Sequence, residues 1–354
     1  MNKTYHSIIT KTTEYLGRIL DLKELSDTNI LLVGGSGMIG KVLVDILMEL
    51  NRSKNLNLSI MTVGRSEASL KNAFYAYNDD KHFSAITHDV NKPFPDFGKY
   101  DFIIHAASNT HPMAYSTDPI GTITSNVIGT MNLLEYAYNY CAKRFVFLSS
   151  VEIYGEADKK QNAFAEKDFG YIDCNTVRAG YPEGKRVGES LCQAYSDQYG
   201  LDFVIPRLCR VYGPTMRSND SKALAQFIKK AVNGEKIVLK SDGLQYYSYI
   251  DVFDAASAII FVMLKGAKGE AYNISSKESD ITLRELAEKL AKLAETSVMF
   301  EDPDELEKRG YSKATKAILD SSKLHSIGWK ELFTIDEGLK ITLDVLKEER
   351  YDKS

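Results

Sequence analysis

Hydrophobic positions along the chain fall into short unbroken runs separated by longer segments with a helical period. NILLVGG (29–35), LSIMTVG (58–64), YDFIIHAAS (100–108), RFVFLSS (144–150) and LDFVIPRL (201–208) read as strands buried on both faces, because the apolar residues do not alternate with polar ones. KVLVDILMEL (41–50), TSNVIGTMNLLEYAYNY (124–140) and residues 181–199 carry helical periodicity, and the polar NRSKNLN (51–57) reads as a long turn. Strands alternating with helical crossovers predict an α/β fold, a Rossmann-type doubly wound parallel sheet with right-handed connections.

Past residue 210 this rhythm loosens. YGPTMRSND reads as a loop and KALAQFIKKAVNG (222–234) as a helix, while Thr282 and Glu285 form a capping-box pattern ahead of LRELAEKLAKLAE. The expected organisation is a helical extension (1–28), a dinucleotide-binding domain (29–205) and a smaller, mainly C-terminal α/β substrate-binding domain (206–345). The last should lie over the carboxyl edge of the sheet, where ligands of such sheets bind, with 244–268 returning to the Rossmann sheet.

Composition narrows the function. The chain has 354 residues, 44% hydrophobic and 26% charged, with a net charge of -4. Those are globular proportions, and the acidic balance argues against nucleic acid as a partner. No apolar run reaches the length of a membrane span. Glu14 and Asp21 interrupt the first thirty residues, which read as an amphipathic helix capping the domain rather than as a secretion signal. Cys141, Cys174, Cys192 and Cys209 make no C-x-x-C pair, so reduced thiols in a cytoplasmic protein are expected, and the six histidines show no metal-ligand spacing.

Candidate chemistry begins at NILLVGGSGMIGKVLVDIL. Gly34, Gly37 and Gly40 stand between strand and helix, where backbone must approach a pyrophosphate and a helix N-terminus must face it, and Met38 and Ile39 within the array are further cofactor-binding candidates. A P-loop reading of Gly35 to Lys41 fails because Val42 replaces the magnesium-binding hydroxyl. The second strand ends at Gly64-Arg65 instead of the acid that selects NAD, so the cofactor is NAD or NADP with a lean toward NADP, Arg65 facing a 2′-phosphate. Asp89 and Val90 follow a third short strand and are candidates for the adenine end, although a surface turn explains them too.

The stretch RAGYPEGKRVGES places Tyr181 and Lys185 four residues apart, on one face of a helix whose first turn accommodates Pro182. Taken alone, the pair is either a surface contact or a phenol whose acidity is being adjusted. Several further stretches decide between these: IIHAAS (103–108), NVIGTMNLLE (126–135), FLSSVEIYGE (147–156), RLCRVYGP (207–214) and LDSSKLHSIGW (319–329). With the glycine array and YPEGKRVGE they resemble, in order and over nearly the whole chain, the extended short-chain dehydrogenase/reductases that act on nucleotide sugars as epimerases, dehydratases and decarboxylases.

That resemblance implies that Tyr181 is the base in a hydride-transfer step. Lys185 would bind the nicotinamide ribose and lower the phenol's pKa, and Ser150 would be the hydroxyl partner. Ala106, Ala107, Ser108 and Asn126 would line the nicotinamide half of the cleft. A phenol titrates near 10, so operating near neutrality needs about 4 kcal/mol of phenolate stabilisation. Glu152, in SSVEIYG, matches dehydratases and UDP-glucuronate decarboxylases, in which a carboxyl group serves proton transfer at C5. Plain epimerases usually lack it. Arg178, three residues before Tyr181, matches the decarboxylase form and is a candidate for a substrate carboxylate or phosphate.

Two positions depart from the family. Arg210 stands where a sugar-contacting asparagine is usual, and Tyr247 where an arginine usually grips the diphosphate; both are candidate substrate contacts. Lys313, Lys316 and Arg309 are available as the basic group near LDSSKL that the decarboxylases use. The resemblance implies a nucleotide-diphosphate sugar as partner, a homodimer through the helices at 124–140 and 181–199, and C4 oxidation followed by elimination. The alternatives are a 4-epimerase or 4-ketosugar reductase and, from another class, a non-catalytic dinucleotide-binding protein.

Overall fold

The computed structural model describes residues 2–110, 112–156, 161–217, 220–302 and 315–351. Helix α1 (Lys3–Ile19) is followed by β1 (Asn29–Val33), α2 (Met38–Lys54), β2 (Ser59–Gly64), α3 (Glu67–Phe74), β3 (Phe83–Thr87) and β4 (Phe102–His105). Then come α4 (Pro112–Thr117), α5 (Pro119–Asn139), β5 (Arg144–Phe147), β6 (Ser149–Ser150), α6 (Gly180–Tyr199), β7 (Phe203–Leu208) and β8 (Arg210–Tyr212). The remainder runs α7 (Ala223–Val232), β9 (Ile237–Leu239), β10 (Tyr246–Asp251), α8 (Val252–Lys265), β11 (Glu270–Ile274), β12 (Asp280–Thr282), α9 (Leu283–Leu293), β13 (Val298–Phe300) and β14 (Lys316–Ala317). Helices α10 (Ser322–Ser326) and α11 (Ile335–Tyr351) close the fold.

Among the described residues the large sheet runs in the order β11-β7-β5-β4-β1-β2-β3, with β6 beside β7, and every pairing in it is parallel. The reversal of strand order beside β1 opens the crevice in which ligands of such sheets bind. Ile30, Leu31, Leu32 and Val33 of β1 are fully buried, as the continuous apolar run predicts for a strand covered on both faces. Helix α1 lies against α2 and α8. Its Tyr5 donates to Asp45 at 2.6 Å, and Tyr15 donates to the Lys330 carbonyl at 2.7 Å, so the expected amphipathic cap is tied to both ends of the chain.

Three expectations change in detail. Helix α2 continues to Lys54, because Asn51 and Arg52 extend it and Asn55, in the left-handed conformation, caps it; the turn shrinks to the residues after Lys54. Helix α5 begins at Pro119 under an Asp118 cap, five residues before the predicted start. Of the segment 244–268, strand β10 does not join the large sheet. It pairs with β8, β12 and β14 in a smaller one, while α8 packs on the large sheet's helical layer and β11 supplies the returning strand. A strand's own residues carry its burial but not its partner, so YYSYID suited either sheet. The Thr282–Glu285 capping box forms as expected.

A buried ionic knot sits at the β7–β11 edge of the large sheet. Arg207 of β7 grips Glu189 of α6 at 3.1 and 2.7 Å, donates to the Tyr154 hydroxyl at 2.9 Å and to the Glu166 carbonyl at 2.7 Å. The Tyr154 hydroxyl in turn donates to Asn273 of β11 at 2.6 Å. One guanidinium therefore holds helix α6, the turn after β6 and the edge of the large sheet in register. Arg207→Met leaves the Glu189 charge buried and unpaired, a change worth about 3–5 kcal/mol. Urea unfolding should show a loss of that order; a loss under about 1 kcal/mol, the size of an exposed pair, would show that the knot does not hold these elements.

Candidate active site

The glycine array sits where the sequence predicts, and two of its members are sterically obligatory. Gly34 has φ +98°, and a Cβ there would lie 2.6 Å from the Ala107 nitrogen; at Gly40 a Cβ would meet the Gly34 carbonyl at 2.4 Å. The loop is thus pressed between the ends of β1 and β4 and the start of α2. Gly37 caps α2 without a side chain, and no acid occupies the first turn, so nothing on the helix competes with an anion for its N-terminal N–H groups. This cradle fits a dinucleotide pyrophosphate. Ile39 lies in that turn, and the Met38 carbonyl accepts from Thr215 of the second half at 2.9 Å.

Beyond the cradle, Ser108 donates to Asn126 at 3.0 Å, and Asn126 is anchored on the Thr122 carbonyl at 2.8 Å, building a fixed polar wall beyond Ala106 and Ala107. Arg65 is exposed at the end of β2 and donates to Asn109 at 3.1 Å. Asp89 accepts from its own turn at Asn91, 3.0 Å away, and Val90 is buried where Gly129 leaves room in α5. The surface-turn reading accounts for Asp89, whereas Val90 packs into the core.

The reacting half gathers at the end of β6 and the start of α6. Tyr181 is 6% exposed, and its phenol shares a hydrogen bond with Ser150. Burial raises the phenol above its ordinary range and the Glu152 carboxylate pushes the same way; the Ser150 bond and Arg178 oppose them. Ser150 also caps the short turn 151–154, accepting from the Glu152 N–H at 3.2 Å, which aims Glu152 into the same space. Both Glu152 oxygens take bonds from Arg178 Nη2 at 2.7 Å.

The Lys185 ammonium donates to the Leu148 carbonyl at 2.7 Å and lies 4.7 Å above the Phe147 ring. Spacing of four puts two side chains on one face, but a long buried stem turns to the nearest acceptor, here the strand beneath. Burial brings Lys185 down to about 7, with Glu189 opposing.

Tyr115 of α4 is a member that sequence reasoning missed. Its ring stacks on Tyr181 at 5.1 Å, and the Arg178 guanidinium lies 4.5 Å from the same ring. Nothing in its short surroundings marks it, because the contact exists only once α4 meets α6. Arg210 and Tyr247 come together too: the guanidinium stacks 3.3 Å over the ring, with Nη1 buried and unpartnered among the described residues. Glu152 acts on Tyr247 as well, which links the Arg210–Tyr247 pair to Tyr181, Ser150 and Arg178. Lys316 donates to the Gln161 carbonyl at 3.2 Å, whereas Arg309 and Lys313 lie outside the described residues.

Residues 30–275 match the NAD dependent epimerase/dehydratase family. The chain belongs to that family. Among its relatives, UDP-glucuronic acid decarboxylase 6 of Arabidopsis thaliana is 32% identical over 322 residues, covering 89% of this chain and 88% of the relative. UDP-glucuronic acid decarboxylase 1 of Xenopus tropicalis is 29% identical, covering 93% and 74%. Of solved structures, the dTDP-glucose 4,6-dehydratase of Streptomyces venezuelae with NAD bound superposes with a TM-score of 0.78 at 23% identity, covering 91% of this chain and 98% of its own. The UDP-glucuronic acid 4-epimerase of Bacillus cereus, with UDP-glucuronic acid and NAD, gives 0.75 at 22%, covering 91% and 99%. These two carry the epimerase/dehydratase fold. No helix among the described residues of this family member is long and apolar enough to cross a membrane.

The environment of Lys185 makes a stability prediction. Its folded pKa of about 7 lies below the ordinary 10.5, so the folded state disfavours the charged form. The penalty is full below about pH 7 and fades as pH rises toward the unfolded value. Lys185→Met should therefore gain most over the parent, without added cofactor, near neutrality, and that advantage should shrink by pH ~10. Thermal melts across this range read the difference; a gap that stays constant would contradict the assigned burial cost.

Proposed function

We propose that this chain oxidises C4 of a nucleotide-diphosphate sugar against a nicotinamide cofactor and then eliminates, in the manner of the UDP-glucuronic acid decarboxylases, with a UDP-linked hexuronate as substrate. The observation that carries this reading is Glu152 held by Arg178 beside the Tyr181–Ser150 hydroxyl pair. Plain epimerases usually lack that carboxylate. Similarity along most of the chain to decarboxylases supports the same choice.

When bound, the nicotinamide dinucleotide supplies the hydride acceptor. Tyr181 accepts the proton of the C4 hydroxyl while Ser150 hydrogen-bonds the same oxygen. The resulting 4-ketone stands β to the C6 carboxylate. The C5–C6 bond then breaks with its electrons drawn toward the ketone, CO₂ leaves, and Glu152 in its acid form gives C5 a proton. Tyr181 returns its proton to O4 when the ketone is reduced. Arg210, free at Nη1, supplies positive charge for the diphosphate in place of the cation absent at Tyr247. The Gly34–Gly37–Gly40 cradle holds the cofactor's own phosphates, and Arg65, with no acid beside it at the end of β2, supports acceptance of NADP as well as NAD.

Helices α5 and α6 lie side by side and expose Ile120, Ile123, Met131 and Tyr138 from one, Val187 and Tyr199 from the other. That apolar face supports a homodimer, and the free thiols support a reducing cytoplasm as the setting. Light scattering at micromolar concentration should give twice the chain's mass; a monomer would remove the dimer.

Incubation with UDP-glucuronate and mass analysis of the product should show loss of CO₂. Loss of water from a dTDP- or GDP-hexose would assign the dehydratase form instead, and an unchanged mass would contradict elimination. Tyr181→Phe should abolish turnover. Glu152→Gln should stop product release while the first hydride transfer still appears as reduced-nicotinamide absorbance, and full activity in that variant would remove Glu152 from the chemistry.

A further inference from the structure

Arg178 holds Glu152 imperfectly. One nitrogen, Nη2, serves both carboxylate oxygens at 2.7 Å, while Nε is buried without a partner among the described residues. A guanidinium grips a carboxylate best with two parallel N–H···O bonds along one edge. Here that edge is half used, and a buried N–H is left unsatisfied, which carries a desolvation cost. The pair is also reachable, with side-chain exposures of 31% for Arg178 and 27% for Glu152, unlike the sealed Arg207–Glu189 pair at 5% and 11%.

We infer that Arg178 is the receptor for a carboxylate on the sugar ring of the substrate, and that Glu152 is an internal stand-in which surrenders this seat when the substrate arrives. The inference rests on the proposed reaction and names how its site selects the substrate. An incoming carboxylate can take Nε and Nη2 together, satisfying the idle donor, so the exchange trades a one-nitrogen contact for a two-nitrogen contact. A neutral hydroxymethyl group cannot displace Glu152 and leaves the ion pair closed.

The exchange also prepares Glu152. The groups that face it are Arg178 and the phenols of Tyr115, Tyr181 and Tyr247, with Arg210 stacked on the far ring. Once Arg178 turns to the substrate, Glu152 is released from its hydrogen-bonded cation and is free to face C5. Substrate recognition and the arming of the acid become one event. Arg178 stays in place throughout because its plane rests on the Tyr115 ring at 4.5 Å, and that ring is stacked on Tyr181.

The test is calorimetric titration of the NAD-loaded protein, in a Tyr181→Phe background that prevents turnover, with UDP-glucuronate and UDP-glucose. These ligands differ only at C6. The parent should prefer UDP-glucuronate. Arg178→Gln should weaken UDP-glucuronate about 30-fold or more and leave UDP-glucose unchanged, which also certifies the fold. Arg178→Lys, which keeps the charge but not the two-point edge, should retain part of the preference.

The distinctive outcome is Glu152→Gln: removal of the stand-in should tighten UDP-glucuronate and leave UDP-glucose alone. Weaker UDP-glucuronate binding in Glu152→Gln, or an unchanged preference in Arg178→Gln, would overturn the inference. Decarboxylation with an unchanged preference sinks the receptor and spares the reaction. A preference that collapses in Arg178→Gln, in a protein that never releases CO₂, spares the receptor and sinks the reaction.

Discussion

A phenol and a carboxylate placed in one poorly solvated cleft oppose each other, and the reacting half of this molecule is arranged around that conflict. Burial and the Glu152 carboxylate both disfavour the Tyr181 phenolate, burial the more strongly. Arg178 settles the matter by holding Glu152 from one side and resting on the Tyr115–Tyr181 stack from the other. Ser150 adds a hydrogen bond that favours the phenolate.

The fold serves this cluster by delivering its members from separate elements. Ser150 ends β6 and Glu152 lies in the turn after it, Arg178 stands just before α6 and Tyr181 in its first turn, and Arg210 and Tyr247 come from neighbouring strands of the smaller sheet. The Arg207 knot fixes α6 against that turn from behind. On the cofactor side, Gly34 and Gly40 permit the approach of β4 and α2 that makes a cradle at all.

Much of this was legible in the sequence because it is written locally. Continuous apolar runs announced the strands of the large sheet, glycines at spacing three announced the cradle, and Tyr181 with Lys185 announced the reacting helix. Contacts between elements were not legible. Tyr115 lies in an unremarkable segment, and the stacking of Arg210 on Tyr247 depends on the β8–β10 register, which neither strand encodes by itself. Lys185 shows the limit of periodicity: the spacing gave its direction, but burial decided that its charge rests on Leu148. The expected return of 244–268 to the large sheet failed for β10 for the same reason, since partners come from the assembled fold.

The account stands on Tyr181 reaching the C4 oxygen of a bound sugar. The most direct measurement is an experimental structure of the protein with NAD and an unreactive 4-deoxy-4-fluoro nucleotide hexuronate. It should place the Tyr181 hydroxyl and Ser150 within hydrogen-bond distance of the C4 substituent, with C4 facing the nicotinamide ring. A sugar bound with C4 turned away from Tyr181, or a phenol still sealed under Tyr115, would contradict it.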